Sequence, residues 1–349
     1  MKKNSIHTVI KGKRGRTCLF LITPIFLIML LFASCEVEFS PNAAWKEVPV
    51  LYCVLDQDDD TTWVRVEKCF LGEGSMYQYG SISDSLNYPQ GSISVKLCAY
   101  QNGQCVDIET CNYTVRDRAE GVFANRAQPL YYSTKPLNEN YMYKLVVTRV
   151  ADGTVLAYTD SIPLILQTSE VLIRKPSNMD RFGFYARTGT TPVCYIEWNV
   201  MENARLYQPI VRFYYTYPEI GDTHYVDLRC NKVAVSNDVS VLPCYYPRDA
   251  FLSEMYTKLK DDPNSKRSLN KVDLYLTACS EDLNAYISSI DIAGGVDQGS
   301  ETYTNIYNGV GVFASRRTHL YKSLRADSTF ISGSSYGLIW YLKSLDVGF

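Results

Sequence analysis

The chain has 349 residues, with 35 basic and 37 acidic side chains and a formal net charge of -2. Without its first thirty-four residues, which carry six basic and no acidic side chains, the charge falls to about -8; an acidic surface repels phosphate backbones and excludes nucleic acid as a partner. Three histidines and no Cys-x-x-Cys exclude the paired close ligands of structural zinc, and neither a metal nor a cofactor is expected.

Lys2, Lys3, Lys11, Lys13, Arg14 and Arg16 form a basic n-region, and an apolar run follows from Cys18 to Phe32. At about fifteen residues, that run is short of the roughly twenty needed to span a bilayer. It ends in Phe32-Ala33-Ser34-Cys35. This pattern reads as a secretory signal with a lipobox, in which Phe32 replaces the usual leucine. Residues 1–34 are therefore the lipoprotein signal peptide and Cys35 is the lipidation site. Two or three acyl chains make a stable anchor where one does not. Residues 35–45 read as a tether.

Tyrosine, at 28 residues, is common in alternating runs, and Tyr, Thr and Val favour half-buried strands. Val48–Leu55 and Trp63–Phe70 flank an acidic turn and predict a hairpin. Residues Gly72 to Gly91 form a polar loop. Ile93–Tyr100 and Cys105–Ile108 flank Asn102-Gly103, the strongest short hairpin turn. Tyr141–Arg149 and Val155–Ile162 flank Asp152-Gly153 in the same way. About seven strands with turns every ten residues or so predict an immunoglobulin-like β-sandwich over residues 46–165.

Residues 166–349 predict a second β-rich domain with one or two short helices. Strands fall near Ser169–Arg174, Cys194–Val200, Ile210–Tyr217 and Val272–Ala278. A helix is expected from Pro247-Arg248-Asp249 to Lys260, with Phe251, Leu252, Met255 and Leu259 on one stripe. A second is expected over Glu281–Ile290. The tail from Ser328 to Leu342 is apolar and aromatic.

Several motifs resemble sites of chemistry. Gly333-Ser334-Ser335-Tyr336-Gly337 matches a nucleophile elbow, but an elbow needs an acid and then a histidine downstream, and no histidine follows. Gly309-Val310-Gly311-Val312-Phe313-Ala314 matches a dinucleotide fingerprint, yet too little chain follows to build that domain; glycines permitting a bulge or tight turn explain it. Asp56, Asp58, Asp60 and Glu67 fall at positions 1, 3, 5 and 12 of a calcium-loop count, but Thr61 stands where the turn needs glycine. Acidic hairpin turns have a simpler cause, because Asp satisfies turn amides. The aromatic clusters Tyr77/Tyr79, Tyr131/Tyr132, Phe213/Tyr214/Tyr215/Tyr217 and Tyr245/Tyr246 could form a sugar or peptide platform. Neighbours in a strand face opposite ways, so half of each cluster belongs to the core. Beyond Cys18 and Cys35, nine cysteines remain. An exported protein supports disulfides, but their pairing cannot be assigned from sequence.

Val50-Leu51-Tyr52-Cys53-Val54-Leu55, Val64-Arg65-Val66, Phe70-Leu71-Gly72-Glu73-Gly74, Ile162-Pro163 and the run from Tyr303 to Arg316 together resemble the Bacteroidetes lipoproteins gathered as domain-of-unknown-function family 4249. The resemblance covers most of the chain after Cys35, and its most specific part is the Tyr303–Arg316 run. It implies an outer-membrane lipoprotein often encoded beside a TonB-dependent receptor, and it carries over no catalytic residue. The many cysteines depart from that family. Glu36 and Glu38 resemble the acidic signal that sends such lipoproteins to the cell surface; Val37 separates them, so a periplasm-facing placement stays open.

The expected function is a non-enzymatic accessory or ligand-binding subunit of a TonB-dependent transporter system. The alternative is a stand-alone surface adhesin or glycan-binding module. The expected partners are the membrane, through the lipid, and an outer-membrane barrel. Binding residues are expected in two loops judged too glycine-rich and polar for the core. Glu73, Tyr77 and Tyr79 are on the first, and Asn308 and Arg316 are on the second, Asn305–Arg316.

Overall fold

Alternation of apolar and polar side chains builds the first strands, β1 (Pro49–Asp56) and β2 (Thr62–Lys68). Leu51, Cys53, Leu55, Val64 and Val66 point to one face and are buried. A single turn, α1 (Ser83–Leu86), precedes β3 (Ile93–Gln101) and β4 (Gln104–Thr110). Asn102 and Gly103 join this hairpin with φ of 52° and 78°, the doubly positive pair that a type I′ turn requires. Then come β5 (Asn112–Asp117), β6 (Ala127–Ser133), β7 (Met142–Arg149), β8 (Val155–Thr159) and β9 (Ile162–Pro163). The computed structural model describes residues 47–69, 80–117, 127–167, 181–185, 193–219, 221–236, 239–262, 266–293, 302–326 and 338–347. The signal, the tether, the strand expected at Ser169–Arg174 and the Gly333–Gly337 motif lie outside them.

The second half holds β10 (Arg181–Phe182), β11 (Phe184–Tyr185), β12 (Val193–Asn199), β13 (Leu206–Thr216), β14 (Thr223–Arg229), β15 (Val233–Ala234) and β16 (Val241–Pro247). Helix α2 (Arg248–Leu259) follows directly. Pro247 sets its start at φ -59°, and Phe251, Leu252, Met255 and Leu259 form its buried stripe, as the sequence pattern predicts. Next are β17 (Ser268–Cys279), α3 (Glu281–Ala293), β18 (Ile306–Tyr307), β19 (Val310–Ala326) and α4 (Leu338–Ser344). Leu338 and Leu342 are buried, so this part of the apolar tail is a core helix. No described helix is long and apolar enough to cross a membrane.

The fold is mostly β. One ten-stranded sheet runs in the order β14-β13-β17-β19-β1-β2-β6-β5, with β10 and β15 attached to it. A six-stranded sheet, β18-β8-β7-β3-β4 with β9 beside β7, faces its N-terminal strands. Between them is a sandwich core of Leu51, Leu55, Val64, Val95, Leu145 and Val147, among others. That core takes Ile306 and Phe313 from far along the chain. The sandwich is therefore not closed by residues 46–165 alone: β18 extends one sheet and β19 continues the other. A second core, from Ile165 onward, packs α2, α4 and the three-stranded sheet β11-β12-β16 on the floor of β13, β17 and β19. Its largest members are Trp198, Tyr207, Phe213 and Phe251.

Candidate functional site

The Tyr303–Arg316 run forms a clasp within the fold. Asn305 faces β19 across a tight return. Its Nδ2 donates to the Phe313 carbonyl at 2.7 Å and its Oδ1 accepts the Phe313 N–H at 2.9 Å. A side-chain amide thus imitates a strand partner. Asp282 of α3 accepts from Tyr303 Oη at 2.7 Å and from Asn305 Nδ2 at 3.0 Å. Tyr307 stacks on Tyr158 at 4.8 Å and donates to Asp160 at 2.7 Å. Buried Ser315 donates through Oγ to the Pro163 carbonyl, and its N–H reaches Ser280 Oγ.

Asn305–Arg316 is therefore not a solvent loop beyond its turn. Val312, Phe313, Ala314 and Ser315 are buried, because β1 pairs along one edge, Asn305 and Ser280 bond the other, and packing covers both faces. The glycines serve that approach. A Cβ on Gly311 would lie 1.9 Å from the Leu51 carbonyl oxygen, and its φ of +122° excludes side chains on its own. The fingerprint-like spacing is a strand crossing.

Of the residues expected to bind, Cys35, Glu73, Tyr77 and Tyr79 lie outside the described residues. Asn308 is exposed at the turn between β18 and β19, with φ 59°. Arg316 sits eight residues on, where β19 meets β1. Its guanidinium pairs with Asp56 and lies 3.5 Å from Asp59. Asp58 accepts the Thr318 N–H at 2.8 Å. The acidic turn is thus tied to β19. Glu67, the twelfth position of the calcium count, pairs with Val50, about 20 Å along β1 from Asp56. Among the described residues no group of three or more His, Cys, Asp or Glu side chains could hold a metal.

The aromatic clusters divide between core and surface as strand alternation demands. Tyr131 is buried while Tyr132 meets Trp63 on the opposite face at 5.6 Å. Tyr246 packs on Phe251, whereas Tyr245 is 54 % exposed beside Tyr195. Phe213 is in the core and Tyr214 on the outer face of the large sheet.

That outer face of β13, β14 and β17 is the most organised polar surface described. Arg212 holds Asp227 with two hydrogen bonds of 2.6 and 2.8 Å. It lies 3.9 Å from the Tyr225 ring centre and 4.6 Å from that of Tyr275. Its Nη1 donates to Tyr275 Oη at 3.1 Å, and the Asp227 hydrogen bonds raise its pKa. Lys271 lies over Tyr214 at 4.2 Å and pairs with Asp273 at 3.0 Å. Tyr225, at the sheet edge, is 54 % exposed. The same device recurs with Arg65 over Tyr52, Arg116 over Trp63 and Lys144 over Tyr158. In each case a cation lies over an outward ring. A rigid row of rings and cations can bind by stacking and by hydrogen bonding to carboxylates or hydroxyls. The sequence signal for Arg212 is weak, since it is one basic residue in an aromatic strand.

A shallow cleft of about 150 Å³ opens where Asp107 and Glu109 of β4 face Lys135, Asn138 and Tyr141. Two of its charges, Lys135 and Asp107, are already paired. His224 and His319 lie on different strands. His224 packs against Tyr215 and Tyr217. Burial and then Arg317 hold His319 below its ordinary pKa.

No family model matches the chain, and no curated protein matches it.

Proposed function

We propose that this chain is a lipid-anchored outer-membrane protein that acts as a non-enzymatic accessory or ligand-binding subunit of a TonB-dependent transporter system. The observation that carries this reading is the basic n-region, short apolar run and Phe32-Ala33-Ser34-Cys35 at the start of the sequence. A lipid tether confines the protein to the plane of its partner and raises their effective concentration, so a modest contact suffices. The outer face of β13, β14 and β17, with Arg212, Tyr225 and Lys271, suits such a contact. The exposed rings of Tyr225 and Tyr245 favour a second reading, a stand-alone glycan-binding module.

Cys35→Ala is expected to block maturation or release the protein from the membrane fraction. Normal processing and retention in detergent-free membranes would end the anchor reading. Affinity purification from native outer membrane separates the two functions: a barrel protein copurifying with the parent supports the accessory role, and glycan retention without a barrel supports the module.

A further inference from the structure

The open side of the sandwich is one continuous run of chain. Strand β4 ends the six-stranded sheet and β5 ends the ten-stranded one, and only Cys111 separates them in sequence. Among the described residues no strand pairs with the outer side of either. The Cys111 N–H donates to the Val95 carbonyl at 2.9 Å. Alternation from that bond turns the N–H and C=O of Glu109 toward Leu97 of β3 and leaves those of Ile108 and Thr110 at the free edge. Apolar side chains accompany these unpaired groups: Val106, Ile108 and Val115 are 46, 57 and 47 % exposed.

The other face of β4 carries charge. Asp107 and Glu109 point inward and line the cleft of about 150 Å³, where Leu97 and Ala99 of the sandwich core are exposed to it. Of the described residues lining that cleft, two are acidic and one, Lys135, is basic, so it is net negative. Its volume is below the roughly 300 Å³ at which small-molecule sites begin, and it suits a single side chain. Inward charges on an edge strand also set two copies of that strand against each other. A symmetric pair of β4 edges would bring the carboxylates of both copies together on a chain that is already acidic. The bulge between Ala99 and Tyr100 shortens the regular edge further.

We propose that the free edge of β4 takes up an extended basic segment of a partner protein as an added strand. Its backbone pairs with the open N–H and C=O groups of Ile108 and Thr110, and its side chains alternate between the two faces. Apolar side chains on the outer face cover Ile108. Lys or Arg side chains on the inner face oppose the carboxylates across the strands. Their stems lie on Leu97 and Ala99 while their charged heads stay at the cleft mouth. Asp107 already holds Lys135, so Glu109 is the carboxylate that receives the incoming cation. This goes beyond the proposed function and depends on neither the lipid anchor nor a transporter.

The test titrates the full-length protein with three capped, fluorophore-labelled peptides and reads anisotropy. The first has the length of β4, seven residues, and alternates Val and Lys. The second has Glu in place of Lys. The third is the Val-Lys peptide with every backbone amide N-methylated. Saturable binding is expected for the first alone. Glu109→Gln should weaken it about fivefold, and high salt should weaken it as well. Hydrogen exchange at the Ile108 and Thr110 amides should slow when the peptide is bound. Ile108→Pro removes an edge N–H that β3 does not use and should abolish binding with the fold retained; if that variant misfolds, the N-methylated peptide still decides the matter. Absence of binding by the Val-Lys peptide at about 1 mM would overturn the proposal. Equal binding of the N-methylated peptide would overturn strand addition, and equal binding of the Val-Glu peptide would overturn the basic partner. A concentration-dependent dimer that Ile108→Pro abolishes would give the edge to a second copy instead.

Discussion

The two cores solve one problem with different material. The first core is a sandwich made mainly of Val, Leu and Ile side chains from two facing sheets, with Tyr88, Tyr131, Tyr143 and Phe313 set among them. The core from Ile165 onward is aromatic. Phe251 of α2 lies within about 6 Å of Phe182, Phe184, Phe213 and Tyr246, mostly edge to face. Facing sheets of a sandwich interdigitate aliphatic side chains across about 10 Å. A helix laid on a sheet leaves a deeper and less regular gap, which large rings fill. The first core tolerates small local adjustment, whereas the second depends on a few large side chains. Among the described residues, β19 is the strand that serves both, giving Phe313 to the first and Leu324 and Tyr321 to the margin of the second.

The sharpest break of that contrast is at the shared strand. Gly311→Ala is expected to abolish folding of both halves, costing more than about 4 kcal/mol, because its Cβ meets backbone. The control is Gly103→Ala, in an open turn at φ +78°, for which about 1 kcal/mol is expected. Equal loss in both variants, measured by urea denaturation, would show that close approach is not the cause. Phe251→Ala should cost about 3–5 kcal/mol. Near-ultraviolet circular dichroism should lose the aromatic signal of the second core while far-ultraviolet strand signal persists. An effect no larger than that of Leu97→Ala in the sandwich would erase the distinction between the cores.

Asn305→Ala removes two hydrogen bonds to one buried residue of β19, and a loss of about 2 kcal/mol is expected. Hydrogen exchange should show faster exchange of the Phe313 amide before any change at Phe213. Arg316→Ala should have the smallest effect, under about 1 kcal/mol, since its guanidinium is partly exposed. High salt should reduce that difference further, and an effect above that of Asn305→Ala would contradict this ranking.

Much of the sandwich was legible because its signals are local. Asn102-Gly103 and Asp152-Gly153 announce hairpins, and Leu51, Cys53 and Leu55 alternate plainly. Helix α2 was equally plain from Pro247 and its apolar stripe. Strand β19 was hidden. Gly309 and Gly311 flank and interrupt its start, and Arg316-Arg317-Thr318-His319 interrupt the apolar pattern beyond, so neither strand periodicity nor burial can be read there. What makes it a strand is pairing with β1 along its first part and with β17 along its second, a tertiary fact. The Arg212 face was half legible: alternation puts Tyr214 outward, but nothing in the sequence brings Asp227 and Tyr275 to the same guanidinium.

The parallel pairing of β1 with β19 also governs the order of events in folding. Asp56 and Arg316 are 260 residues apart, so the edge of β1 opposite β2 stays unpaired until nearly the whole chain has emerged. Contacts of such separation slow folding, because loop closure must be met before pairing stabilises it. The N-terminal hairpin can form early, but it cannot finish its sheet. Completion falls to the last long strand, and a chain truncated before Val310 is left with an open edge in the middle of its largest sheet.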